Sequence, residues 1–392
     1  MTDIPSRKHL VLLGTGRANM SVLKKLVAQG IGGLAVTLVA PQLNYLDEAM
    51  LAGHLLGEKA LEDFVIPLEH LLDGSGIGYV PDLVQALDPQ AQCLHLASGE
   101  ILPYDALSLN AEPELDRARL DKLMPGVRAN AMFAYPRYVF LELWPQLLAL
   151  AQKRPLQIAV IGHNKFSVEL ALAAAEMLAA PHGSRVTLLT NGAPVMQDAP
   201  PALRKCALAR LKALNITVLH EVCVSFSAKS LQLESGAALV CDAPLLALES
   251  DTPAWLQDSG VKLLEDGQVA LNRRLQSESH SQIFVVPYDA PTEAGPALEA
   301  NLHATLFGGS LKNVPFAPKI RTMQSGARRA IVTLGPWALE KRPRSPATGR
   351  RGAASCSFQC APVMKTAPGA AGPARLAARA SQWQRARHAG RR

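Results

Sequence analysis

Two glycine turns are the stretches of this chain whose residues could do chemistry. The first, Gly14-Thr15-Gly16-Arg17-Ala18-Asn19, follows the apolar run Leu10 to Leu13. Glycines there let the backbone turn tightly and approach a ligand, and the helix start behind them offers amide N–H groups to a pyrophosphate. Gly14, Gly16, Arg17 and Ala18 are therefore candidate cofactor contacts. Asn19 stands where the full Gly-x-Gly-x-x-Gly fingerprint has its third glycine, and a bare Gly-x-Gly also serves as an ordinary α/β turn. The second turn, Gly162-His163-Asn164-Lys165-Phe166-Ser167, keeps only its first glycine. Asn164 tolerates a left-handed backbone but brings a side chain to where a pyrophosphate would approach, while Ser167 is small enough for close packing. Lys165 reads equally as a phosphate contact or as an exposed charge.

Side-chain chemistry is sparse elsewhere. The six cysteines are Cys93, Cys206, Cys223, Cys241, Cys356 and Cys360, and the first four form no Cys-x-x-Cys or Cys-x4-Cys pair. Buried reduced thiols are the simpler expectation, and neither a zinc site nor any other metal site is indicated. His54 follows Gly53 and reads first as a packing or surface histidine.

The elements that position these turns follow from the apolar pattern. Leu10 to Leu13 reads as a buried parallel strand; Met20, Leu23, Leu26 and Val27 recur at helical spacing, and Leu34 to Val39 closes a βαβ unit. A hairpin is expected over Gln92 to Leu109 around Ser98-Gly99, then a polar crossover at 112–130 and a helix from Phe140 to Leu150. A second βαβ unit follows: Leu156 to Ile161, the turn at Gly162, a helix through Leu170 to Ala179, and Arg185 to Thr190. Short strands from Ile216 to Leu248, further strands at 268–271 and 282–286, and a helix from Pro296 to Leu306 complete the ordered chain. Neither βαβ unit ends its second strand with Asp or Glu, the usual ribose anchor, since Ala40-Pro41-Gln42 and Thr190 stand there.

The net charge of +7 misleads. Residues 341–392 hold 10 Arg and 2 Lys with no acid, so removing their +12 leaves residues 1–340 at −5. A mildly acidic body gives no electrostatic reason to expect nucleic-acid binding. No apolar run approaches the roughly 18–20 residues of a membrane span, and the N-terminus lacks a signal-peptide core, so a cytoplasmic protein is expected. From Lys341 the composition breaks into Ala and Arg without period. That segment reads as a GC-rich gene translated out of frame, or as a disordered basic arm.

With both βαβ units in place, residues 9–340 resemble the two-dinucleotide-domain flavoproteins, the pyridine nucleotide-disulfide oxidoreductase superfamily. The branch is that of type II NADH dehydrogenases, including the flavoprotein module fused to some selenide, water dikinases. The stretches that carry the resemblance are Leu10 to Met20, Ala52-Gly53-His54, Leu102 to Leu109, Ile158 to Glu169, Trp255 to Gly260, Leu275 to Phe284 and Gly295 to Leu302. It implies an α/β chain of two Rossmann-like three-layer domains, the second inserted in the first: an FAD domain over 1–150 and 265–340, and an NAD(P)H domain over 151–264. Residues 341–392 are expected to be a disordered tail. The resemblance also implies hydride transfer from NAD(P)H to FAD and on to a quinone or similar small acceptor, in the cytoplasm or peripheral to the inner face of the membrane. It leaves the oligomeric state unassigned.

By the same resemblance Gly162 belongs to the NAD(P)H turn, Glu169 lies near the nicotinamide–flavin contact, His54 could face the flavin, and Asp289 would hold the ribityl chain. Aligned without gaps, Glu112 and Glu249 fall where relatives place a glycine against a cofactor, and a carboxylate beside a diphosphate is repelled. Tyr288, one residue before Asp289, is the direct counterpart of the ribityl-binding acid. A catalytically degenerate relative that acts as a binding or regulatory protein is the alternative reading.

Overall fold

The computed structural model describes residues 7–30, 32–110, 115–248, 252–286, 294–314, 320–334 and 337–341. In chain order the parallel strands and their helices are β1 (Lys8–Leu13), α1 (Arg17–Gln29), β2 (Leu34–Val39), β3 (Gly78–Val80), β4 (Ala106–Leu109) and β5 (Met132–Phe133). There follow β6 (Gln157–Ile161), α2 (Lys165–His182), β7 (Arg185–Leu189), α3 (Pro201–Ala213), β8 (Thr217–Leu219), β9 (Ala243–Leu246), β10 (Ile283–Val285) and α4 (Ala294–Phe307). Three antiparallel strands, β11 (Ile320–Gly326), β12 (Arg329–Leu334) and β13 (Trp337–Lys341), end the described chain.

The chain divides into two units. Unit 1 is built from residues 1–120, 135–141 and 249–318, and unit 2 from 121–134, 142–248 and the residues from 319 on. Unit 1 carries a parallel sheet in the order β10–β4–β1–β2–β3. Both faces of β1 are covered, which is why its sequence is apolar without alternation. Leu10 and Leu12 join a core with Met20 and Leu23 of α1 and Leu298 and Leu302 of α4. Val11 and Leu13 join a second core on the other face with Leu94, Leu96 and Leu256. That face is covered by an antiparallel ribbon of Val84–Asp88, Cys93–Leu96 and Ile101–Pro103. The expected hairpin about Ser98-Gly99 is present but ends at Pro103. Beyond it Ala106–Leu109 turns away as β4, fully buried beside β1.

Unit 2 repeats the plan, with a parallel sheet in the order β5–β9–β6–β7–β8 and a three-stranded antiparallel ribbon over Cys223–Phe226, Ser230–Leu233 and Ala238–Val240. In both sheets the first βαβ strand has its successor on one side and a much later strand on the other. The strand order therefore reverses between β1 and β4 and between β6 and β9, the crevices where doubly wound sheets bind ligands.

The unit boundaries differ from the sequence expectation at four places, since 121–134 and 142–150 lie in unit 2 and two later segments change sides. Residues 252–264 belong to unit 1, because Leu256 and Val261 fill its second core. Residues 320–341 belong to unit 2, because β11–β13 bond to side chains of α2 and α3. The segment expected to be a disordered tail lies outside the described residues from 342 onward.

Candidate functional site

At the first crevice the chain leaves β1 through Gly14, whose φ of 86° lies in the left-handed region that glycine adopts freely. Gly16 then caps α1 with bare backbone, making no side-chain capping bond. A Cβ at Gly16 would overlap the side chain of Asn110, just past β4, and would lie 2.6 Å from its carbonyl oxygen. The reason is that Asn110 stitches the crevice. Its backbone N–H donates to Leu13 O at 2.9 Å, and its carbonyl accepts from Gly16 N at 3.0 Å. Its side-chain Oδ1 accepts from the amides of Ala18 and Asn19 at 3.1 and 3.3 Å, while Nδ2 donates to Val286 O at 3.2 Å. Among the described residues the Thr15 and Arg17 amides have no partner.

Asn19, at the third glycine position, is 1% exposed and fully engaged. Its Nδ2 donates to Leu13 O at 3.0 Å and Gly14 O at 2.9 Å, and its Oδ1 accepts from Ser108 Oγ at 2.6 Å. Where the fingerprint gains close helix–strand packing from a missing side chain, this chain gains it from a buried amide that pins turn to strand. Arg17 projects outward and pairs with Asp47 at 2.8 Å. Close by in unit 1, the buried Arg137 guanidinium bonds Glu48 at 3.1 Å and lies 3.9 Å over the Tyr135 ring.

At the second crevice Gly162 has no room for a side chain, since a Cβ would strike Ala247 O and the Ser167 Cβ. Asn164 stands just before α2 and caps it, its Oδ1 accepting from Ser167 N at 2.8 Å. Lys165 Nζ lies 3.7 Å from Glu169. Thr190, fully buried at the end of β7, bonds through Oγ1 to His220 Nδ1 at 3.1 Å. Glu169 faces β11 and accepts the Gln324 amide at 2.7 Å. Two turns along α2, Glu176 pairs with Arg210 of α3 and accepts the Ala327 amide at 2.6 Å, while Arg210 Nε donates to Ser325 O at 2.7 Å.

Of the residues singled out from sequence, Gly14, Gly16, Arg17 and Ala18 come together at the first turn. His54 bonds through Nδ1 to Lys59 O at 2.8 Å and packs on Phe64, with ring centroids 5.0 Å apart. Gly162 lies at the second turn. Asp289, with Glu112, Glu249 and Tyr288, falls outside the described residues. Sequence reasoning passed over Asn110, although a polar residue ending the buried run Ala106–Leu109 was its signal. The four described cysteines are all free. Burial pushes the Cys223 and Cys241 thiols up to about 11 and also raises Cys93, so they are inert rather than nucleophilic. Among the described residues no group of three His, Cys, Asp or Glu side chains could hold a metal ion, and no helix is long and apolar enough to cross a membrane.

The family description for pyridine nucleotide-disulphide oxidoreductase matches residues 8–286, spanning both crevices. The chain belongs to this family. Its members bind FAD and take NAD(P)H as substrate. Among solved structures, the sulfide:quinone oxidoreductase of Aquifex aeolicus is similar at 16% identity and a TM-score of 0.68, over 85% of this chain and 86% of that one. NDH2 from Plasmodium falciparum in complex with NADH is similar at 12% identity and a TM-score of 0.69, over 85% and 91%. At these identities the likeness is one of fold. Measured against the family's cofactor, the first turn of this member fits a diphosphate, with a bare glycine cap and two unpartnered amides. The second does not, because its own second position carries a side chain, Asn164, which takes the Ser167 amide, whereas at the first turn Asn110 takes the Ala18 and Asn19 amides and leaves those of Thr15 and Arg17 open.

Proposed function

We propose that this pyridine nucleotide-disulphide oxidoreductase is an FAD-dependent enzyme of the type II NADH dehydrogenase-like class, passing electrons to a small acceptor such as a quinone. The observation that carries the reading is Gly16 as the bare cap of α1, with the Thr15 and Arg17 amides free to meet an anion. Gly14 and Gly16 would give the diphosphate room, the Arg17 amide would meet it with Ala18 beside it on the same turn, and Asp289 remains the proposed ribityl contact. The isoalloxazine supplies the two-electron chemistry when bound, so the absence of a cysteine pair among the described residues accords with this branch. Peripheral contact with the inner membrane face is part of the proposal. Trp337, 58% exposed, precedes a segment that carries +12 from Lys341 on.

The test is titration of the purified full chain with FAD, followed by flavin fluorescence and visible absorption. Saturable binding is expected, weakened at least about tenfold by Arg17→Glu. An acid in the first helical turn favours the helix while repelling a diphosphate. Failure of a folded chain to bind FAD would favour the second reading, a cofactor-poor binding or regulatory protein. Asn110 supports that reading by occupying the Ala18 and Asn19 amides.

A further inference from the structure

We infer that unit 2 has exchanged its dinucleotide site for internal contacts, so that no NAD(P)H bound there reduces the flavin of unit 1. The inference rests on unit 1 being the FAD carrier and narrows the proposed function: the likeness to type II NADH dehydrogenases then holds for the flavin side alone, and NAD(P)H held by unit 2 is not the electron donor. Three positions by which a dinucleotide is gripped are each engaged from within the unit. At the pyrophosphate position the second glycine is Asn164, whose carboxamide oxygen takes the Ser167 amide. A phosphate oxygen would need that same helix start, and the glycine normally found there exists so that backbone can approach the diphosphate. At the ribose position β7 ends in Thr190 in place of a carboxylate, and its hydroxyl is tied to His220. At the position nearest the reacting ring Glu169 is turned onto the Gln324 amide, with Lys165 drawn 3.7 Å from its carboxylate. Unit 1 differs in that its turn brings no side chain of its own to the helix start: Gly16 stands bare, and although Asn110 takes the Ala18 and Asn19 amides, those of Thr15 and Arg17 are left to an anion.

The exchange has a beneficiary within unit 2. Glu169 and Glu176, seven residues and two turns apart, lie on one face of α2 and accept two backbone amides of β11 and its turn. Arg210 closes the clamp by bonding both Glu176 and Ser325 O. Helix α2 has thus become the seat of the C-terminal sheet.

The experiment is calorimetric titration of the full chain, first with FAD and then, with FAD saturating unit 1, with NADH, NADPH and ADP, the last as a minimal diphosphate probe. Native chain is expected to bind FAD but to show no saturable NADH, NADPH or ADP binding below the millimolar range. Asn164→Gly is expected to gain at least about tenfold in ADP or NAD(P)H affinity, and Asn164→Ser, which keeps a capping oxygen, to gain nothing. Micromolar binding of NADH or NADPH by the native chain overturns the inference. An Asn164→Gly chain that melts as a folded protein and gains no affinity overturns the role given to Asn164. Loss of FAD binding alone strikes the reading of unit 1 and leaves unit 2 closed.

Discussion

Two asparagines govern the first turn, and their removal has opposite surface logic and the same outcome. Asn19→Gly restores the family fingerprint, yet it deletes buried bonds to Leu13 O, Gly14 O and Ser108 Oγ, so a loss of about 1–3 kcal/mol in urea unfolding is expected. Asn110→Ala strips the Ala18 and Asn19 amides of their acceptor and is expected to cost a similar amount, about 1–3 kcal/mol. A stable Asn19→Gly would show that the third position still behaves as a glycine site. Neither role was legible in sequence. Asn110 meets its partners across 92 and 91 residues on one side and 176 on the other, and no local pattern encodes such pairings. Of the thiols expected to be buried from their spacing, Cys93, Cys223 and Cys241 are so, and Cys206 is only partly buried. With Cys223 and Cys241 pushed up to about 11, both are expected to resist iodoacetamide at pH 8 in the native chain and to react once it is unfolded.

At the level of elements, buried parallel strands announced themselves and docked edges did not. β1 and β6 are short apolar runs ahead of a glycine turn, and both were readable because two buried faces leave no alternation to disguise. β11–β13 read only as the end of an FAD domain, since what seats them is a helix carboxylate meeting a backbone amide. Arg210→Ala should release them: about 1.5–3 kcal/mol of charged hydrogen bonding is lost, and amide exchange across 320–341 is expected to quicken while the unit 2 sheet stays protected. Asp242 plays the comparable role where β9 meets β6, accepting the Gln157 amide at 2.8 Å and pairing with Arg154 at 2.8 Å. The Gln157 amide above all, with Arg154, holds its carboxyl below the ordinary 3.8. The unfolded chain therefore takes up this proton first; the stabilisation is complete above 3.8 and is lost as pH falls through the folded value. Asp242→Asn is expected to lower the melting temperature at pH 7 and to flatten its decline below about pH 4.

For the molecule as a whole, the recurrence of βαβ some 150 residues apart was the observation that made two domains readable, and charge the one most open to misreading. Had the +7 been spread evenly, a nucleic-acid reading would have been defensible; its concentration after Lys341 leaves an acidic body. The division of the chain also bears on how it is made. Unit 1 is assembled from three separated stretches, and its sheet lacks an outer strand until Ile283–Val285 is synthesised and a covering helix until Ala294–Phe307 follows. The parallel sheet of unit 2 is complete by Leu246. A growing chain stopped near residue 260 would thus carry a complete second parallel sheet and an unfinished first, with Leu298 and Leu302 still missing from the core that Leu10, Leu12 and Met20 share. Of the two parallel sheets, the one that the sequence begins is the one that closes last.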